Sequence, residues 1–205
     1  MSLEPEWFSS AYGLILISGQ GVAGLALAVI GLRLLAARVD GGSDWTESFN
    51  HLGNLLLGFV MIWAYLVFSQ FLIIWSANIP EEAIWYVHRS QGGWLAVAIA
   101  LIAVHFAVPF VVLLSRRVKR RAQALTVLAV VLLLARLLNL IWLILPAFHP
   151  QGGTLHWLDL ALVLGLGGLW AAAFTWFWAG QAALPRRDPH LLGLEPADLP
   201  APPAP

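Results

Sequence analysis

One stretch of this sequence concentrates groups able to bind water, pass protons or hold a polar guest. Ser69 and Gln70 sit within an apolar run that ends at Asn78, Ile79 and Pro80. Two adjacent carboxylates follow, Glu81 and Glu82, and then Trp85, Tyr86, His88 and Arg89. Lipid gives no reason for such polarity, because polar groups at membrane depth are costly and face a partner, a cavity or an ion path. The stretch supports two readings. Glu81 and Glu82 can simply open a short helix in a solvated connection, stabilised by its dipole. Alternatively they form a mouth for protons or a docking surface, since Glu82, Tyr86 and Arg89 fall at spacings that place them on one helix face.

The remaining polar groups inside apolar runs are few: Gln20, His51, Asn54, His105, Arg136, Asn139 and Asp159. Arg136 and Asn139 share a helix face at i, i+3. At 1.5 Å per residue, Arg136 lies about 14 Å and Asp159 about 6 Å from the outer ends of their helices, a gap that an Arg side chain can close. An intramembrane charge needs a partner, so two readings stand for Arg136: a pair with Asp159, or bonds only to helix-end carbonyls, another subunit or a lipid headgroup. His51 and His105 differ in depth by roughly 10 Å, which argues against a shared haem. A lone membrane His is read first as a packing residue and second as a proton-relay member. His149 and His156 flank a loop with no carboxylate between them and make a poor metal site.

The elements that carry these residues follow from composition. The chain has 205 residues, of which 60% are hydrophobic and 11% charged, well below the quarter or so of a soluble domain. Eleven acidic and eleven basic side chains leave no net charge, so long-range attraction to nucleic acid is not expected. Without cysteine there is no disulfide, no thioether-attached haem and no cysteine-ligated iron–sulfur cluster in this chain. Glu4 and Glu6 and a long first apolar run do not fit a cleavable signal.

Five runs reach the roughly 20 residues needed to span a bilayer: 11–37, 50–77, 92–115, 122–146 and 155–182. The expectation is an all-α membrane protein, a five-transmembrane-helix bundle over residues 1–182. Small residues (Gly19, Gly21, Gly24 and Ala28 in the first run; Gly165, Gly167, Gly168, Ala171 and Ala172 in the fifth) are expected at close helix contacts. Arg33, Arg38, the Arg116–Arg121 cluster, Arg186 and Arg187 fall on one side of an alternating path, whereas the opposite loops hold only Arg89. The basic side reads as cytoplasmic, which puts the N-terminus outside and the C-terminus inside. Trp7, Trp75, Trp85, Trp94, Trp142 and Trp157 near one boundary, and Trp45, Trp176 and Trp178 near the other, read as an aromatic belt. Residues 40–50 read as a short polar loop in which Ser43 or Thr46 caps the next helix. Pro109, a turn beyond His105, is expected to kink the third helix and free a carbonyl. Residues 183–205, with seven Pro, read as a disordered cytoplasmic tail.

Several stretches together resemble a known family. They are Pro5-Glu6-Trp7-Phe8-Ser9; Trp63-Ala64-Tyr65 with Phe68-Ser69-Gln70; Ile74-Trp75-Ser76-Ala77-Asn78-Ile79-Pro80-Glu81-Glu82 with Trp85-Tyr86; His105-Phe106 with Pro109-Phe110; Leu114-Ser115-Arg116 with Val118-Lys119-Arg120; and Trp142-Leu143 with Pro146. Over about residues 5–190 the chain resembles the second half of the ActF-type membrane subunit of alternative complex III. That complex is a bacterial quinol:cytochrome c (electron carrier) oxidoreductase, and the subunit is related to polysulfide-reductase-type membrane anchors. The resemblance implies the bacterial inner membrane, and partner subunits that carry haem c and iron–sulfur clusters. It implies no cofactor within this chain, quinol at an interface, and a second chain supplying the other half of the usual ten helices. Where the family typically carries an acidic residue on the fourth helix and a charged set near the start of the second, this chain has Asn139 and Asn54. An amide holds water but cannot pass a proton by ionising, which favours a structural or quinone-lining role.

The function expected is an accessory, non-catalytic subunit that scaffolds the complex. His51, Ser69, Gln70, Glu81, Glu82, His105, Arg136, Asn139 and Asp159 are its candidate proton-path or quinone-lining residues. A small oligomeric transporter or channel, and a purely structural anchor for extrinsic redox subunits, are the competing readings.

Overall fold

All five apolar runs fold as helices in the computed structural model, which describes residues 4, 7–38, 44–149 and 157–179. The spans are Tyr12–Ala36, Thr46–Ala77, Trp94–Leu114, Ala122–Ala147 and Trp157–Ala179, each long and apolar enough to cross a membrane. No strand occurs among the described residues. The chain thus has an all-α fold with the spans of a multi-pass membrane protein. Ser43, His156, Arg186, Arg187 and the tail over 183–205 lie outside the described residues.

Helix α1 (Tyr12–Ala36) packs on α2 (Thr46–Ala77) and on α7 (Ala122–Ile144). Helix α2 starts ahead of the expected residue 50, so the polar loop read over 40–50 is partly helical. Thr46 is the first helical residue and not the cap; the N-cap position is Trp45, without a side-chain cap, and just before it the Asp44 Oδ1 accepts from the Thr46 N–H at 2.9 Å. The first turn is polar, and a search for apolar runs passes over it. At its other end α2 closes on Asn78, whose left-handed backbone (φ 49°) lets its N–H reach the Ile74 carbonyl. Ile79 is extended, as a residue before proline must be, and Pro80 opens α3 (Pro80–Ser90).

The third span is three pieces: α4 (Trp94–Leu101), a π-helical stretch (Ile102–Ala107) and α5 (Val108–Leu114). Pro109 has no N–H for the His105 carbonyl, and the Val108 N–H bonds Ala103 instead, one residue further back than in an α-helix. The expected irregularity is therefore a π-bulge centred on His105, a form that often marks functional positions. Helix α6 (Arg116–Lys119) then returns the chain to α7.

Helices α1–α7 form one unit, and α8 (Trp157–Ala179) belongs to a second. None of α8's residues is buried, including its small ones. In the first unit the basic turn meets the start of α2: Arg120 lies 3.4 Å from Glu47, and the Lys119 Nζ donates to Asn54 at 2.6 Å. The Lys119 stem occupies the space a side chain at Gly53 would need. Of the small residues expected at contacts in α1, Gly19 and Gly21 are there, against Arg136 and Phe59, whereas Gly24 and Ala28 are exposed. Exposed small residues leave the α-carbon stripe legible in sequence but give no close approach.

Two apolar clusters hold this unit. One, near the basic end, joins Val22, Val29, Leu56, Val60, Leu125 and Leu132; the other, at the α3 end, joins Trp7, Ile74, Trp85 and Leu143. Between them along each helix lie Ser18 and Gly19, Trp63, His105, and Arg136 with Asn139, all buried.

Candidate functional site

The buried polar layer is built from four helices. Arg136 (3% exposed) donates from Nη1 to the Asn139 Oδ1 at 2.7 Å, and Gly19 on α1 makes room for the guanidinium. A Cβ at Gly19 would overlap it. His105, fully buried, lies within electrostatic reach of Arg136 and stacks on the Trp63 ring at 4.0 Å. Both His105 nitrogens, the Trp63 Nε1, and the Arg136 Nε and Nη2 have no hydrogen-bond partner among the described residues. Buried polar groups in native proteins are nearly always bonded, so this layer has the chemistry to hold water or a polar guest. Within it His105 and Arg136 are the ionisable side chains; Asn139 does not ionise.

A second constellation caps the bundle at the α3 end. Arg89 (2% exposed) is the centre. Its Nη1 and Nη2 donate to the two Glu4 carboxylate oxygens at 3.3 and 3.1 Å, and further to the carbonyls of Trp85 and Leu143 at 3.0 and 2.9 Å. The guanidinium lies 3.7 Å from the Trp85 ring centroid, and Trp7 stacks on that same indole at 4.8 Å. One side chain thus ties the N-terminal segment, α3 and the end of α7 together. Burial disfavours the Arg89 charge, and the Glu4 carboxylate offsets that in part. Beside it, burial pushes the Tyr86 phenol up to about 12, against the opposing effects of Arg89 and Gln70, so the hydroxyl stays a neutral donor at physiological pH.

The candidate residues separate accordingly. His105, Arg136 and Asn139 come together in the polar layer. Gln70 is buried nearer the cap and accepts from the Ser9 hydroxyl at 3.2 Å; Ser69, next to it, is half-buried. Glu81 is exposed and Glu82 half-exposed in the first turn of α3, without an ion pair among the described residues. Of the three residues expected on one helix face, Tyr86 is half-buried within electrostatic reach of Arg89, Arg89 is turned inward to Glu4, and Glu82 is half-exposed in the first turn of α3. His51 is exposed at the opposite end, 3.7 Å from Glu47. Asp159 is half-exposed in the first turn of α8, in the second unit; inside the first unit Arg136 has Asn139 as its partner.

Glu4, Trp7 and Trp63 were not among the candidates. The only signal for Glu4 was that the alternating path leaves it on the same side as the lone Arg89. The belt reading also changes: Trp7, Trp85 and Trp94 are buried, whereas Trp75 and Trp157 are exposed. Proximity to a boundary does not say which way an indole faces. No protein-family model matches the chain, and no curated protein matches it.

Proposed function

We propose that this chain is an integral membrane subunit of a bacterial respiratory quinol:cytochrome c oxidoreductase of the alternative complex III type. It corresponds to the second half of the ActF-type subunit. It sits in the inner membrane with its basic end cytoplasmic and its N-terminus outside. Partner chains carry haem c and iron–sulfur clusters, and another chain supplies the remaining helices of a ten-helix subunit; lipid covers the rest.

The observation that carries this reading is the folding of the most specific shared stretch, Ile74 to Tyr86, into a locked cap. Asn78 ends α2, Pro80 starts α3, and Trp85 stacks between Trp7 and the Arg89 guanidinium. A bonded, aromatic-walled platform of this kind suits a membrane surface on which extrinsic redox subunits rest. The polar layer beneath it supports a second role, a water-filled passage or quinone-lining wall in which His105 is the proton-binding member.

Membranes from cells lacking this chain are expected to lose quinol:cytochrome c reductase activity by tenfold or more, as a missing scaffold requires, and to regain it with the chain restored. Unchanged activity would remove the reading. If activity survives replacement of His105 by Phe while assembly still needs the chain, its role is that of a structural anchor.

A further inference from the structure

The basic turn between the third span and α7 belongs to neither constellation above and holds the densest run of charge in the sequence: Arg116, Arg117, Lys119, Arg120 and Arg121. Two of these cations are turned to protein. Lys119 is buried with its Nζ on Asn54, and Arg120 lies 3.4 Å from Glu47, so the pair anchors α6 to the start of α2. Arg116, Arg117 and Arg121 are exposed and form no ion pair among the described residues. The acids described at this end are already engaged. Besides Arg120, Glu47 accepts from the Asn50 Nδ2 at 3.2 Å and lies 3.7 Å from His51, and Asp44 accepts from the Thr46 N–H.

The helices on either side do not close over this turn. Helix α7 packs on α4 and on the π-helical stretch, whereas α5 packs on α2. The third span and α7 therefore diverge toward α6. Each carries a strip of exposed apolar side chains leading to the turn: Val108, Val111 and Leu114 on α5, and Val127, Val130 and Leu134 on α7. Spacings of three and four residues keep each strip to one side of its helix. At the base of α7 a hollow of about 510 Å³ is lined by Arg121, Ala122, Gln123 and Ala124. Apolar strips that run into three unpaired guanidiniums match a molecule with acyl chains and an anionic head. A soluble anion would leave the strips unused, and a zwitterionic lipid would bring its own cation into a field that is already positive.

We propose that this turn seats an anionic phospholipid, its phosphate on Arg116, Arg117 and Arg121 and its acyl chains along the two strips. A guanidinium fork takes phosphate oxygens two at a time, which an ammonium does not. Membrane sidedness alone asks only for positive charge at this end of the bundle. A bound lipid asks for guanidiniums that no carboxylate holds, so the two roles part at Glu47: releasing Arg120 from it adds a fourth contact to the lipid and nothing to sidedness. The site is independent of the quinol reading and requires only that the spans cross a membrane.

The test uses the full chain, with any subunits that accompany it, in nanodiscs of phosphatidylcholine containing a minor share of phosphatidylglycerol. Lipid retained on transfer to detergent is counted by native mass spectrometry. Phosphatidylglycerol is expected to be held in preference to phosphatidylcholine, and less of it as salt screens the exposed guanidiniums. Arg116→Gln, Arg117→Gln and Arg121→Gln should each weaken retention about fivefold, and the triple change about a hundredfold, which is about 1 kcal/mol for each guanidinium at a membrane surface. The single variants leave the other cations of the turn in place and serve if the triple variant fails to insert or fold. Glu47→Gln, which frees Arg120, should raise retention up to fivefold. Equal retention by the wild type and every Arg variant, phosphatidylcholine held as tightly as phosphatidylglycerol, a fall in retention for Glu47→Gln, or displacement of the lipid by millimolar inorganic phosphate would overturn the site.

Discussion

Arg89→Leu is expected to destabilise the first unit by about 3 kcal/mol, the lower part of the range for breaking a buried ion pair from one side. The lower figure applies because Glu4 is 19% exposed and recovers some solvation when its partner goes. The lost contacts are concrete. Both Glu4 oxygens and the carbonyls of Trp85 and Leu143 lose their donors, and the Trp85 ring loses the cation stacked on it. Leu fills part of the volume but cannot bond the carbonyls. Since Trp7, Trp85 and Trp142 meet around this one guanidinium, the change should appear as an early tryptophan-fluorescence transition, before the helices melt. Arg89→Lys keeps the charge but not the planar fork, so it should fall between the two. If Arg89→Leu melts as a single transition at the wild-type temperature, the cap is not what holds α3 down.

Gly19→Ala is the second large effect, and it is conditional on Arg136. The added methyl overlaps the guanidinium that Asn139 holds in place, so Arg136 must give up either its bond or its place against α1. Overpacking of this kind costs about 1–3 kcal/mol. Arg136→Ala removes the obstacle. The double variant should therefore be more stable than the sum of the single changes predicts, with a coupling of at least about 1 kcal/mol. Strict additivity in thermal melts of the four proteins would mean that Arg136 does not rest on Gly19.

These residues also show how much of the molecule the sequence discloses. The five spans follow from hydropathy because lipid demands continuous apolar length, and their ends fall within a few residues of expectation except where a polar turn, Thr46 to Phe49, extends α2 beyond the apolar run. Arg136 with Asn139 is readable because the two lie three apart on one helix. Arg89 with Glu4 is not, since the partners are 85 residues apart and only the folded path brings them together. Pro109 announces a break in the third span but not its form; the π-bulge depends on the Val108 N–H moving its bond to Ala103. Least legible of all is the divergence of the third span from α7, because no periodicity in these nearly uniform apolar runs reveals how neighbouring helices cross.

The most direct test of the membrane-complex assignment is a reduced-minus-oxidised spectrum of this chain purified at native abundance in mild detergent, read beside its subunit composition. The proposed function requires c-type haem absorbance and iron–sulfur-bearing partners in fixed ratio to the chain. A colourless homo-oligomer, stable without companions, would contradict it and point to a transporter.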